Sequence, residues 1–257
     1  MIIDTNTHLG HWPFRKLAHS DAESFVRLMD GFGITQAWVG AFEGVFYRDC
    51  GQANRDLLAE IAGHEDRLVP WAALNPSFPG WEDDLSEAAD AGVVGVRLYP
   101  NYHAYALTDL CCSELLAALS ERGLPVAIHH KLVDERLHHW TCLVPPTAMT
   151  LAPLVERFPS LRIICCGVSL PMAVELPPSV YVETSRLEGA GGVGRLVEAV
   201  GANRVLFGSH APYFYLEAAL LKLVESGLEG DTLQAILHTN ARSILGLAGS
   251  PPTSPAR

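Results

Sequence analysis

The sequence predicts an α/β protein folded as a single closed (β/α)8 barrel of the TIM-barrel class, and three observations predict it. Eight apolar, β-like runs recur along 257 residues, amphipathic helical stretches separate most of them, and no G-x-G-x-x-G follows the first run. Eight strand–helix units in about 250 residues match a closed barrel better than an open doubly wound sheet. In order, the strand runs are "MIIDTN", "TQAWVGAF", "LVPWAAL", "VVGVRLYP", "LPVAIHH", "LRIICCG", "SVYVETS" and "NRVLFGS". The helical stretches are "DAESFVRLMDGFG", "QANRDLLAEIAGH", "GWEDDLSEAADAG", "LCCSELLAALSERG" and "TLAPLVERFP", several ending on a glycine suited to a C-cap. One connection is irregular: "VSLPMAVELPP" is proline-rich and has room for little more than a helical turn. The barrel is expected over residues 1–247, with the Pro/Ser-rich segment 248–257 expected to be disordered.

Composition narrows the function classes. At 49% hydrophobic and 18% charged the chain can bury a large core, and a net charge of −11 lacks the basic field that nucleic acid or anionic lipid requires. Neither a basic region followed by an apolar run at the N-terminus nor an apolar stretch near 18 residues is present. A cytoplasmic protein acting on a small-molecule substrate is expected, with no nucleic-acid or membrane partner and with a homo-oligomer left open. Six cysteines without C-x-x-C spacing read as reduced, buried thiols.

In such barrels the chemistry gathers at the C-terminal ends of the strands. In the first strand, alternation puts Asp4, Asn6 and His8 on one face, a polar face that implies a site. Further along, Glu43 follows the second strand, and Arg97, Tyr99, Asn101 and His103 follow one another at the fourth. The fifth ends in His129 and His130, before Lys131, Asp134, Glu135 and Arg136. The last three end near Gly167 and Ser169, Glu183 and Ser185, and Ser209 and His210. His8, His129 and His210 therefore recur at equivalent places on different strands.

At these residues the sequence resembles the amidohydrolase-related group of metal-dependent barrel hydrolases, often called amidohydrolase 2, within the amidohydrolase superfamily. The carriers are "IDTNTHLG", "GVVGVRLYP", "LPVAIHH", "RFPSLRIICCG", "RVLFGSHAP" and "HTNARSILGL", spread over nearly the whole chain. The resemblance implies a divalent metal, often zinc, held by a His-x-His pair, a strand-five histidine and a strand-eight aspartate, with a strand-six histidine adding to the site. This chain has Asn6 for the first histidine, Gly167 where the strand-six histidine is expected, and His210 for the aspartate. Arg97 stands where binuclear members use a lysine, and a guanidinium cannot be carbamylated into a bridging ligand.

Two arrangements follow. His8, His129 and His210 supply a tri-histidine site for one divalent metal such as zinc, or Asn6 and His210 belong to a metal-free pocket that hydrogen-bonds a carbonyl or carboxylate directly. His210, His129, Arg97 and Glu183 are the expected catalytic groups, with His210 the preferred base. Asn6, Arg97, Tyr99, His103, Lys131 and Arg136 are the expected substrate contacts, with the cations suited to a carboxylate. Trp12, Phe46, Tyr99 and Tyr213 are expected to line an aromatic wall. The expected activity is hydrolysis of a C–O or C–N bond in a small carboxylate-bearing amide or lactone. The alternatives are a metal-dependent decarboxylase of an unsaturated or aromatic acid and a non-catalytic binding barrel.

Overall fold

Every apolar run of the sequence becomes a strand. The structure, a computed structural model, describes residues 1–133 and 148–247. The strands are β1 (Ile3–Leu9), β2 (Gln36–Ala41), β3 (Leu68–Ala73), β4 (Gly95–Leu98), β5 (Val126–His129), β6 (Ile163–Cys166), β7 (Tyr181–Glu183) and β8 (Val205–Leu206). They lie in sequence order, each parallel to the next. Closure comes from β1 and the chain around β8. Thr5 N–H donates to the Phe207 carbonyl (2.9 Å), His8 N–H to Ala211 (3.0 Å) and His210 N–H to Asn6 (2.7 Å).

Helices cover the outside: α1 (Ala22–Phe32), α2 (Glu43–Phe46), α3 (Gly51–Glu60), α4 (Trp81–Asp90), α5 (Pro100–His103), α6 (Leu110–Arg122), α7 (Ala148–Arg157), α8 (Leu170–Glu175), α9 (Gly192–Val200), α10 (Leu216–Glu225), α11 (Gly230–Gln234) and α12 (Asn240–Ile244). Their ends follow local chemistry. Asp21 caps α1 by accepting from Ser24 N–H (2.8 Å), and Gly33 and Gly123 close α1 and α6 in the left-handed region as the sequence predicts. The proline-rich connection holds only the six-residue α8. Among the described residues no helix is long and apolar enough to cross a membrane.

Two apolar layers position the site. Phe25, Met29, Leu57, Leu85, Leu115, Leu196 and Leu223 fill the space between strands and helices. Inside the barrel, Ile3, Val69, Ala127, Ile164 and Leu206 surround Trp38 stacked on Trp71 at 4.8 Å, closing its N-terminal half. The polar strand ends therefore lie above an apolar plug. Asp134, Glu135, Arg136, Cys142 and the segment 248–257 lie outside the described residues, while Cys50, Cys111, Cys112, Cys165 and Cys166 are free thiols.

Candidate active site

The first strand does not keep the simple alternation its sequence predicts. Its register with β2 shifts between Asp4 and Thr7, a bulge that re-aims the side chains beyond it. Asp4 turns to Ser209, accepting from its backbone N–H (3.0 Å) and its hydroxyl. Asn6 lies against Gly208, and His8 enters a cluster of rings. His8 stacks on Phe42 at 4.8 Å, with its centroid 5.5 Å from His129 and 5.2 Å from His210, while Tyr99 stacks on His129 at 4.7 Å. His210 takes φ 59°, a left-handed conformation uncommon for a non-glycine residue and typical of strained functional positions. Residues after β8 bond to β1 instead of extending the ladder, so Ser209 and His210 sit beyond the strand end.

Asn6, His8, His129 and His210 are all buried, and several of their polar atoms have no partner within the protein. These are Asn6 Oδ1, His8 Nδ1 and both ring nitrogens of His129 and His210. His8 Nε2 is engaged, lying 3.1 Å from the Tyr99 hydroxyl and 3.1 Å from Arg97. Because both neighbours can donate to it, its proton is assigned to Nδ1.

Arg97 is anchored to the backbone of two other strands. Its guanidinium donates to the Thr7 carbonyl (2.8 Å) and the Trp38 carbonyl (2.6 Å) and is 1% exposed, passing beside Gly40, where a Cβ would lie 3.0 Å from its Cδ. It ties β4 to β1 and β2 beneath the rings through these charged donors, while its Nε is buried without a partner. That charge and burial hold the imidazoles neutral. His8 is held well below the usual histidine range by burial, then by Arg97 and the neighbouring histidines, and His129 by burial, Arg97 and His210. His210 is pushed down to about 3 by burial, then Arg186 and Arg97; the Leu132 backbone opposes this, without hydrogen-bond geometry to the ring.

The remaining expected residues divide. Glu183 is fully buried, accepting from Gly167 N–H (2.7 Å), Ser185 N–H (2.6 Å) and Ser185 Oγ (2.8 Å). Its oxygens hold the loops after β6 and β7. His103 Nε2 pairs with the Gly44 carbonyl (3.0 Å), which keeps it behind Tyr99 at a ring distance of 5.9 Å and away from the three-ring cluster. Lys131 lines a 330 Å³ cavity with Gly167, Arg186 and Glu188. The aromatic wall forms around Trp12, which meets Phe46 at 5.2 Å and Tyr213 at 4.9 Å. Arg186 was missed by the sequence reading. It lies half-buried over Phe214, whose ring is 5.1 Å from His210, and it lines both the 330 Å³ cavity and a larger one of 770 Å³. A basic residue just past a strand end, the criterion that selected Lys131, would have found it.

Gly167 explains one lost histidine. Its φ is +72°, and a Cβ there would stand 2.0 Å from the Lys131 carbonyl oxygen, so no side chain fits without moving the backbone.

The family model described as Amidohydrolase matches residues 3–247. A dihydroorotase from Nitrosomonas europaea is 25% identical over 201 residues, covering 76% of this chain and 54% of its own. The chain thus spans about half the length of the curated relatives it matches. The fold is shared with a 2,6-dihydroxybenzoate decarboxylase from Rhizobium (TM-score 0.76, 18% identity, 96% of this chain and 98% of that one). It is shared also with a 5-carboxyvanillate decarboxylase from Novosphingobium aromaticivorans, a variant with bound manganese (TM-score 0.76, 15% identity, 96% and 97%).

The family is generally metal-dependent. The residues here do not fit a metal. His8 Nε2 faces Arg97, a fixed cation lies 3.1 Å from that nitrogen, and Asp4 and Glu183 are bonded elsewhere. Among the described residues no three His, Cys, Asp or Glu side chains are disposed to hold an ion.

Proposed function

We propose that this chain, which belongs to the amidohydrolase family, hydrolyses a C–O or C–N bond in a small carboxylate-bearing molecule of the lactone or amide class without a bound metal. The observation that carries this reading is the set of six buried atoms on Asn6, His8, His129 and His210 that lack protein partners above a buried guanidinium. Each unsatisfied group costs about 1–3 kcal/mol, so together they rival the net stability of a domain, roughly 5–15 kcal/mol. A structural core does not concentrate such groups in one place.

The roles follow from protonation. His210, neutral with both ring nitrogens unpartnered, takes a proton from the attacking water and returns it to the leaving oxygen or nitrogen. His8 Nδ1–H donates to the oxyanion, the Arg97 charge offsets the negative charge that develops there, and Asn6 Oδ1 is placed to accept from the substrate or the attacking water. Arg186, beside Phe214 and near His210, receives the carboxylate. An anion bound next to His210 raises the affinity of its ring for a proton, which suits a base held so low in the free protein.

The test is turnover of carboxylated lactones and cyclic amides by chelator-treated protein. The expected result is activity insensitive to chelation, reduced about 100- to 10,000-fold by His210→Asn. Turnover that appears only with added metal, or a His210→Asn variant of full activity, overturns the reading. Carbon dioxide release dependent on added manganese replaces it with the decarboxylase alternative.

A further inference from the structure

Beside the ring cluster lies the 770 Å³ cavity, opening between the loop after β7 and α10, and none of the site histidines lines it. Its walls include Leu187, Phe214, Ala218 and Ala219, with Arg186 and Lys222 among them. Both cations are half-buried. Lys222 Nζ donates to the Ser185 carbonyl (2.7 Å), and Arg186 stands with its guanidinium carbon 5.8 Å from the Phe214 centroid. Among the described residues neither forms an ion pair; the carboxylates of Glu188 and Glu225, which also line the cavity, are on exposed residues. Glu183, the buried carboxylate whose charge reaches Lys222, already accepts from Gly167 and Ser185. Two cations with no ion-pair partner among the described residues, set beside Leu187, Phe214, Ala218 and Ala219 on a wall that also carries Arg15, Glu188 and Glu225, form a receptor for an anion attached to an apolar body.

We infer that this cavity is a specificity subsite for a substrate larger than a single-ring acid, holding its apolar body against Phe214, Leu187 and Ala218 and its anionic group on Arg186 and Lys222. The volume falls in the usual range for whole-ligand pockets, roughly 300–1,000 Å³. Arg186 forms the boundary with the smaller cavity and stands near His210, so a body seated here reaches the ring cluster at its anionic end. The inference rests on the proposed hydrolysis only in calling the ligand a substrate.

Binding is read without turnover, by fluorescence titration of the intact chain with 2-naphthoate, 2-naphthamide and benzoate. Naphthoate should bind about tenfold or more tightly than the neutral amide, the size of one charge-assisted contact. Arg186→Gln should bring naphthoate to the level of the amide, and Lys222→Met should weaken it in the same direction should the first variant fail to fold. Ala218→Trp should displace naphthoate while leaving benzoate bound as before. Equal affinity for naphthoate and naphthamide, or folded Arg186→Gln and Lys222→Met variants within about twofold of wild type, overturns the subsite. Failure here removes Arg186 as the carboxylate contact but leaves hydrolysis at the ring cluster, read by turnover, standing, and an inactive but naphthoate-binding protein leaves the subsite standing.

Discussion

Replacing Gly167 by alanine tests whether the lost strand-six histidine is locked out by the backbone. The left-handed conformation costs a residue with a Cβ about 1–2 kcal/mol. The new Cβ would stand 2.0 Å from the Lys131 carbonyl oxygen, so one loop must shift by more than an ångström, an overpacking penalty of about 1–3 kcal/mol. That shift breaks the 2.7 Å bond from Gly167 N–H to the Glu183 carboxylate, worth roughly 1.5–3 kcal/mol. The sum is on the order of 4–8 kcal/mol, most of the stability of an ordinary domain. Urea denaturation of the alanine variant beside wild type measures it. A loss below about 2 kcal/mol, with the denaturant slope unchanged, would refute the reasoning, because it would mean that the loop accepts a side chain without strain.

Arg97→Met removes the charge beneath the rings and the donors to Thr7 and Trp38, so it should cost about 2–5 kcal/mol and raise the histidine pKa values. NMR titration of the ring protons reads the shift directly, and unchanged values would show that burial alone sets them. Stability should also peak near neutrality. His8, His129 and His210, with His103 at about 4, bind fewer protons folded than unfolded, so their stabilisation is present above pH 6.5 and lost below it. Asp4, raised to about 7 by burial, and Glu183, also raised, act oppositely and lose stability as pH rises through their folded pKa values. The histidines make stability fall as pH drops from 6 to 5, and the two acids offset part of that fall. A melting temperature that is flat or rises over that interval contradicts this balance.

The fold was legible because each strand is marked by its own apolar run, and runs in sequence order leave a barrel little freedom of topology. His8, His129 and His210 were legible for the same reason: equivalent strand ends meet at one mouth. What escaped depends on partners distant in sequence. The β1 bulge exists only relative to β2, so no pattern within one strand shows it. Arg97 reads as an inward-facing cation from its apolar neighbours, yet its reach to the Thr7 and Trp38 carbonyls is set by the empty space over Gly40. Glu183 reads as an acid at a strand end, and only the turns after β6 and β7 reveal that its oxygens are taken.

The departures from the family pattern reinforce one another. A divalent ion near His8 would sit close to Arg97, and unit charges at 4 Å repel by about 4 kcal/mol at an effective dielectric of 20, doubled for the divalent ion. An aspartate in place of His210 would relieve part of that repulsion, but it would also bury a carboxylate among unpartnered rings. Restoring a histidine at residue 167 collides with the Lys131 backbone. No single reversal therefore recovers a metal cage, whereas the present set is self-consistent. On the proposed metal-free reading, one fixed guanidinium supplies the positive charge that an ion would bring, neutral imidazoles supply hydrogen bonds in either direction, and Asn6 supplies an amide that neither titrates nor binds borderline metals strongly.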